Sequence, residues 1–279
     1  MRLETSTQVD KRTQDDKRRA GAQRSRPAAL FALACLLGGA LSAAAPARAV
    51  EFSGDQKAEI GKIVHDYLVA NPEVIRDAID ELEKKQKVAE AASRQKALTQ
   101  SSDKLFASPY QAVVGNPSGD VTLVEFFDYN CGYCKQSLGF VAKLLETDPN
   151  LKVVLKDFPI LGPDSVDVAQ VASAAREQFK GAKFFEFHRK LLSIRGHIGK
   201  EQALAAAKEL GADMDRLEKD LKSPAIQTGL KEVEKLAEEL HFNGTPSWVL
   251  GKDAIVGGIP YAELKSKIDN VRKCGKTAC

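Results

Sequence analysis

The stretch Val121-Thr122-Leu123-Val124-Glu125-Phe126-Phe127-Asp128-Tyr129-Asn130-Cys131-Gly132-Tyr133-Cys134-Lys135 decides the fold. Its first seven residues are nearly continuously apolar, as in a strand buried on both faces of a sheet. Lys135–Glu146 then carries Leu138, Val141, Leu144 and Leu145 on one helical face. Leu151–Phe158 reads as a second strand, stopped by Pro159. Strand, helix and strand within about 40 residues form a βαβ unit, normally with parallel strands.

Cys131 and Cys134 therefore stand where a buried strand hands over to a helix. Free backbone N–H groups and the helix dipole at that end favour a thiolate. Cys131 ends the turn and is placed to meet solvent, while Cys134, one turn further in, can resolve a mixed disulfide. The same spacing also supplies half of a zinc site. Such a site needs two further ligands. Cys274 and Cys279 have four residues between them on a tail, and His65, His188, His197 and His241 are scattered. Redox chemistry is the better reading, with no metal and no organic cofactor.

Outward from this unit, residues 101–120 hold Pro109, Gly115, Asn116, Pro117 and Gly119 and read as a linker, a short strand near Gln111–Val114 and a turn. Residues 164–241 read as four or five helices punctuated by glycines and Pro224. Ser247–Leu250 and Ala254–Gly257 flank Gly251-Lys252-Asp253 as a hairpin, and Tyr261–Arg272 is a last helix. The order is β, β, α, β, a helical insertion, β, β, α.

Residues 53–98 look helical and separate. Ser53 with Gln56 matches a capping box. Ile60, Ile63, Val64, Tyr67 and Leu68 form an amphipathic stripe, and Asn71-Pro72 reads as the cap and first residue of a second helix. Ile75, Ala78, Ile79 and Leu82 continue the stripe; beyond Leu82 the chain turns to Glu, Lys, Gln and Ala. Helices this short cannot hide an apolar face alone. The polar stretch 83–98 would hold that face away from the main domain, so pairing with copies of the same chain is preferred.

The N-terminus reads as a cleaved signal peptide over residues 1–49. A basic region from Lys11 to Arg26 precedes apolar Pro27–Ala45, and Ala47-Arg48-Ala49 fits the small-x-small cleavage pattern. Cys35 lies inside the apolar run. Nine of the 41 Lys and Arg and four of the 38 Asp and Glu lie in that segment, leaving 32 basic and 34 acidic side chains. A near-neutral mature chain offers no electrostatic case for nucleic acid. Four cysteines remain in an exported context, where disulfides persist. Cys274 and Cys279 are placed to close a small tail bridge.

These motifs resemble those of the DsbA-type thioredoxin-fold proteins. The segment Glu125–Lys135 looks like their active-site segment, Gly244-Thr245-Pro246 like their cis-proline loop, and Phe184-Phe185-Glu186-Phe187-His188 like part of their helical insertion. The N-terminal helices resemble those of ScsC-like members. The expected architecture is α/β: a thioredoxin fold over 101–279 with a helical insertion at about 164–241, preceded by an oligomerisation segment at 50–100. The resemblance implies Cys131 as nucleophile, Cys134 as resolving thiol, and Thr245 and a cis Pro246 as the substrate-facing loop. By itself Pro246 is a turn proline before a strand. Glu125 would be the buried acid, and a carboxylate in an apolar strand needs a partner. Lys156, near the end of the neighbouring strand, is the candidate. The Gly132-Tyr133 dipeptide lacks histidine, which weakens the case for strong oxidising power.

The expected function is thiol:disulfide exchange in the periplasm on exported cysteine-containing proteins, with a bias toward disulfide isomerisation. Its expected partners are a membrane redox protein and further copies of itself, for which a trimer suits the resemblance. The rivals are a monomeric dithiol oxidase and a thiol protein that captures copper(I).

Overall fold

The computed structural model describes residues 51–279, so the signal-peptide reading and Cys35 lie outside the described residues. The chain divides into two units between Gly61 and Lys62, within helix α1 (Gly54–Ala70). In the first unit, the Ser53 amide donates to Gln56 Oε1 at 2.9 Å and the Gln56 amide to Ser53 Oγ at 3.2 Å, which is the expected capping box.

In the second unit α1 ends at Ala70, and α2 runs unbroken from Glu73 to Gln100. Asn71 does not cap α2. Its side-chain amide turns back and donates to the Tyr67 carbonyl, closing the end of α1, and Pro72 takes the cap position. Short α3 (Ser102–Phe106) occupies what the sequence suggested was linker. The core elements are β1 (Ala112–Gly115), β2 (Val121–Phe127), α4 (Gly132–Thr147) and β3 (Leu151–Asp157). Five helices follow as the insertion: α5 (Pro163–Ala175), α6 (Gly181–Ser193), α7 (Lys200–Glu209), α8 (Met214–Asp220) and α9 (Pro224–Glu239). Then β4 (Ser247–Leu250), β5 (Asp253–Val256) and α10 (Tyr261–Cys274) complete the chain.

The strands form one sheet in the order β1-β3-β2-β4-β5, with β2 and β3 parallel and the other neighbours antiparallel. This mixed sheet clad by helices is the thioredoxin fold. Alternation sorts side chains to two faces. Leu123, Phe127, Val153, Leu155, Trp248 and Leu250 pack with Val141 and Leu144 of α4 and with Leu264 and Ile268 of α10. Val124, Phe126, Val154 and Val249 pack on the other face with Leu105 of α3, with Val233, Leu236 and Ala237 of α9, and with Ala97 and Leu98 of α2. The last turns of α2 are therefore docked. Arg94 Nε donates to the Leu240 carbonyl and Ser101 Oγ to Glu239 Oε2. Before Arg94 the helix is almost wholly exposed, and Ile75, Ile79, Leu82 and Val88 face solvent. No helix among the described residues is long and apolar enough to cross a membrane.

Cys274 and Cys279 are bridged. The bridge folds the tail back, so that Asn270 Nδ2 donates to the Thr277 carbonyl and Thr277 Oγ1 bonds Asp253.

Candidate active site

The buried strand β2 ends at Phe127, and Asp128-Tyr129-Asn130 turn the chain into α4. Cys131 is the residue before the first turn of that helix, with extended backbone (φ −77°, ψ 120°). Its carbonyl accepts from the Lys135 amide at 3.0 Å, the first bond of the helix. Its own thiol donates to the Thr245 carbonyl at 3.1 Å, and the Thr245–Pro246 peptide is cis. The proline loop thus lies directly against Cys131. Cys131 is only 7 % exposed, more enclosed than a turn position suggested, while neighbouring Tyr133 is 66 % exposed. Cys134 is fully buried, and neither cysteine is bridged.

The two thiols differ sharply. A hydrogen bond from Cys134, joined by the Tyr133 and Cys134 amides, pulls the Cys131 pKa from 9.0 down to about 5. The same bond, with burial, drives the Cys134 thiol well above its ordinary value. At neutral pH the pair is one thiolate and one thiol, and the bond from Cys131 to the Thr245 carbonyl belongs to the protonated form alone.

Glu125 lies beneath them. Its partners across the sheet are Leu155 of β3 and Trp248 of β4, so the carboxyl sits among apolar groups. Burial pushes its pKa from 4.5 up to about 8, and the bond with Ser137 opposes this. Ser137 Oγ lies 2.9 Å from Glu125 Oε1 and 3.0 Å from the Cys134 carbonyl. One hydroxyl proton cannot serve both acceptors fully. When Glu125 is protonated the arrangement closes, because the acid donates to Ser137 and Ser137 donates to Cys134. Ser137 is absent from the sequence reading: a serine three residues into a helix turn carries no distinguishing pattern.

Lys156 does not pair with Glu125, contrary to expectation. The parallel register sets Glu125 beside Leu155 and Lys156 beside Phe126, which sends the two side chains to opposite faces. Lys156 is 1 % exposed, and its Nζ donates to the Lys104 carbonyl at 2.7 Å and Gln111 Oε1 at 2.8 Å. Burial lowers its pKa from 10.5 to about 8. His188 is buried against Phe127 with Nδ1 3.3 Å from the Tyr129 hydroxyl, and burial lowers its pKa to about 3. Trp248 is core, with Nε1 donating to the Gly257 carbonyl. Among the described residues no group of three or more His, Cys, Asp or Glu side chains is arranged to hold a metal.

A thiolate-forming cysteine before a helix, a shielded thiol one turn in and a proline loop against the first define the dithiol class of thioredoxin folds. Within that class the chain belongs to the family of DSBA-like thioredoxin domains, whose sequence profile matches residues 122–269, more than half of its length. Residues 56–89 match a second profile, described as the copper resistance protein ScsC N-terminal domain. A thioredoxin-like oxidoreductase from Silicibacter pomeroyi is 39 % identical, covering 62 % of this chain and 98 % of its own, with a TM-score of 0.58. A linker-deletion mutant of ScsC from Proteus mirabilis is 25 % identical, covering 80 % and 97 %, with a TM-score of 0.59. Among curated proteins, the Na(+)/H(+) antiporter NhaA 1 of Salinispora arenicola is 31 % identical over 138 residues, 49 % of this chain. The chain spans only 21 % of that antiporter's length.

Proposed function

We propose that this protein is a thiol:disulfide oxidoreductase of the cell envelope that acts on exported proteins and works as an oligomeric disulfide isomerase. The observation that carries the chemistry is the Cys131 thiol, held near pKa 5 at the start of α4 and covered by the Thr245–Pro246 loop. The Cys131 thiolate attacks one sulfur of a substrate disulfide. The new S–S bond is a mixed disulfide, and the other substrate sulfur leaves as a thiolate. Another substrate thiolate can then attack and restore Cys131, a rearrangement with no net oxidation. Alternatively the Cys134 thiol loses its proton and attacks Cys131. That releases reduced substrate and leaves the Cys131–Cys134 disulfide, which a reduced substrate can use in reverse. In this reading Thr245 offers its backbone to the substrate chain, and Glu125 with Ser137 handles protons beneath Cys134.

Oligomerisation is supported by the apolar row on α1 and α2. Ile63, Val64, Tyr67, Ile75, Ile79 and Leu82 are all exposed, and α1 buries no residue. Envelope location rests on the basic, apolar and Ala47-Arg48-Ala49 pattern of the N-terminus. A membrane redox partner would set the oxidation state of the pair.

The test is refolding of a scrambled, fully oxidised substrate, comparing the chain from Val50 with a truncation from Ala92, which keeps the docked turns of α2. Recovery with the first and not the second supports the isomerase. Equal failure by both, with both still oxidising reduced substrate, leaves a dithiol oxidase. A second reading, capture of copper(I), draws on the description of the profile matching residues 56–89 and on two soft thiol donors. Stoichiometric copper on the reduced protein, with no exchange activity, would replace the first reading by the second.

A further inference from the structure

Three polar side chains flanking Cys131 in sequence, Asp128, Asn130 and Lys135, make no hydrogen bond to its sulfur. They hold two loops. Asn130 Oδ1 accepts from the Ile198 amide at 2.8 Å, and its Nδ2 donates to the Ile198 carbonyl at 3.0 Å and to Ser165 Oγ at 3.1 Å. One acceptor and both donors of the amide are thereby used, which fixes its orientation. Ser165 Oγ donates to Asp128 Oδ1 at 2.8 Å, the Asn130 backbone N–H donates to the same oxygen at 2.8 Å, and Asp128 Oδ2 accepts from the Leu161 backbone N–H at 3.0 Å. On the other side of Cys131, Lys135 Nζ donates to the carbonyls of Ile194 at 2.8 Å and Gly196 at 2.7 Å. Asp128, Ser165 and Ile198 are each 1 % exposed.

The held loops are residues 159–162 before α5 and 194–199 between α6 and α7. The first presents exposed Ile160 and Leu161. The second presents His197, whose Nε2 lies 2.9 Å from Asp164 Oδ2 at the start of α5, so the loops are also tied to each other. Cys131 thus has the Thr245 carbonyl against its sulfur, while the residue before it and Lys135 beyond it carry the bonds to the insertion's loops.

We propose that Asn130 is a positioning residue for disulfide exchange: by pairing with both backbone groups of Ile198 it fixes the helical insertion's loop as one wall of the cleft that receives the substrate chain. This deepens the oxidoreductase reading and rests on it. Asn130 has no bond to either sulfur, so its contribution falls on binding a polypeptide and not on the chemistry of the thiolate.

The experiment uses the full chain. Oxidation of a dithiol peptide is followed with oxidised glutathione as regenerating oxidant, for the wild type, Asn130→Ala and Lys135→Met. Beside it run the pH midpoint of Cys131 alkylation and the equilibrium with glutathione. Both variants are expected to raise KM for the peptide about tenfold, with kcat held within about twofold. The alkylation midpoint and glutathione equilibrium should stay at wild-type values. Lys135 grips the same loop at Ile194 and Gly196, so Lys135→Met serves if Asn130→Ala does not fold. Unchanged KM in the folded variants overturns the proposal and leaves the network a purely structural one. A shifted midpoint with unchanged KM overturns it too, because Asn130 would then act on the sulfur. A wild type inert toward both peptide and glutathione would sink the oxidoreductase reading itself.

Discussion

Ser137 Oγ stands 2.9 Å from Glu125 Oε1, and this one-turn bridge is what links the buried acid to the helix that carries Cys134. With the Glu125 pKa raised to about 8, the folded protein holds a proton at neutral pH that the unfolded chain, at 4.5, has released. Raising the pH from about 5 to about 8 therefore favours unfolding, by up to about 1.4 kcal/mol per pH unit for a single such group. Cys131, ionised from about 5 in the folded chain against 9.0 when unfolded, and His188, held neutral by burial, push the other way, so the wild-type curve alone does not isolate Glu125. The difference in stability between wild type and Glu125→Gln, followed by chemical denaturation, should fall from about pH 5 to about 8, with Asp157, whose pKa burial raises to about 7, common to both. Ser137→Ala should extend the decline to higher pH, since Ser137 is what opposes the burial. A difference between wild type and Glu125→Gln that does not change with pH would refute this account.

The Cys131 thiolate should titrate near pH 5, read by the pH dependence of its alkylation or by thiolate absorbance. Cys134→Ala, which removes the donor, should move the midpoint upward, because the Cys134 bond is the largest influence lowering it. An unchanged midpoint in that variant would shift the cause to the helix terminus alone.

Lys156→Met removes a buried cation but strands two acceptors, the Lys104 carbonyl and Gln111 Oε1. A loss of roughly 1–3 kcal/mol of stability is expected, the cost of unpaired buried groups. Exchange with glutathione should be unaffected, because Lys156 lies on the sheet face away from Glu125 and Cys134. A large change in that exchange rate would place Lys156 back in the site's chemistry.

Sedimentation of the full chain should report an oligomer, and Ile79→Asp with Leu82→Asp should convert it to monomers. Both side chains are at least half exposed, so the folded domain should survive. A wild type already monomeric at micromolar concentration would remove the basis for the isomerase.

Much of the fold was legible because its signals are local. The continuous apolar run of β2, the helical spacing after Cys134 and the hairpin around Gly251-Lys252-Asp253 each report their own structure. The Glu125–Lys156 pairing failed because sheet register is not local. Shifted by one residue, Lys156 would have stood beside Glu125; with Leu155 there instead, it faces the other way. Asn71 misled for a related reason, since its amide serves equally to begin one helix or to end another. The holding roles of Asn130 and Asp128 were invisible, because their partners Ile198, Ser165 and Leu161 lie 33 to 68 residues away.

The unbroken course of α2 has a geometric corollary. From Glu81 to Arg94 the helix runs through Glu81–Lys85 and Glu83–Lys87 ion pairs without a glycine or proline. In a loop, adding a residue changes reach and little else. In a helix each added residue advances the chain by about 1.5 Å and also turns everything beyond it by about 100°. Length and bearing are thus a single variable in this connector. A one-residue insertion near Gln86 would swing the apolar row round relative to the docked end. Insertions of about seven residues, near two full turns, would restore the original heading.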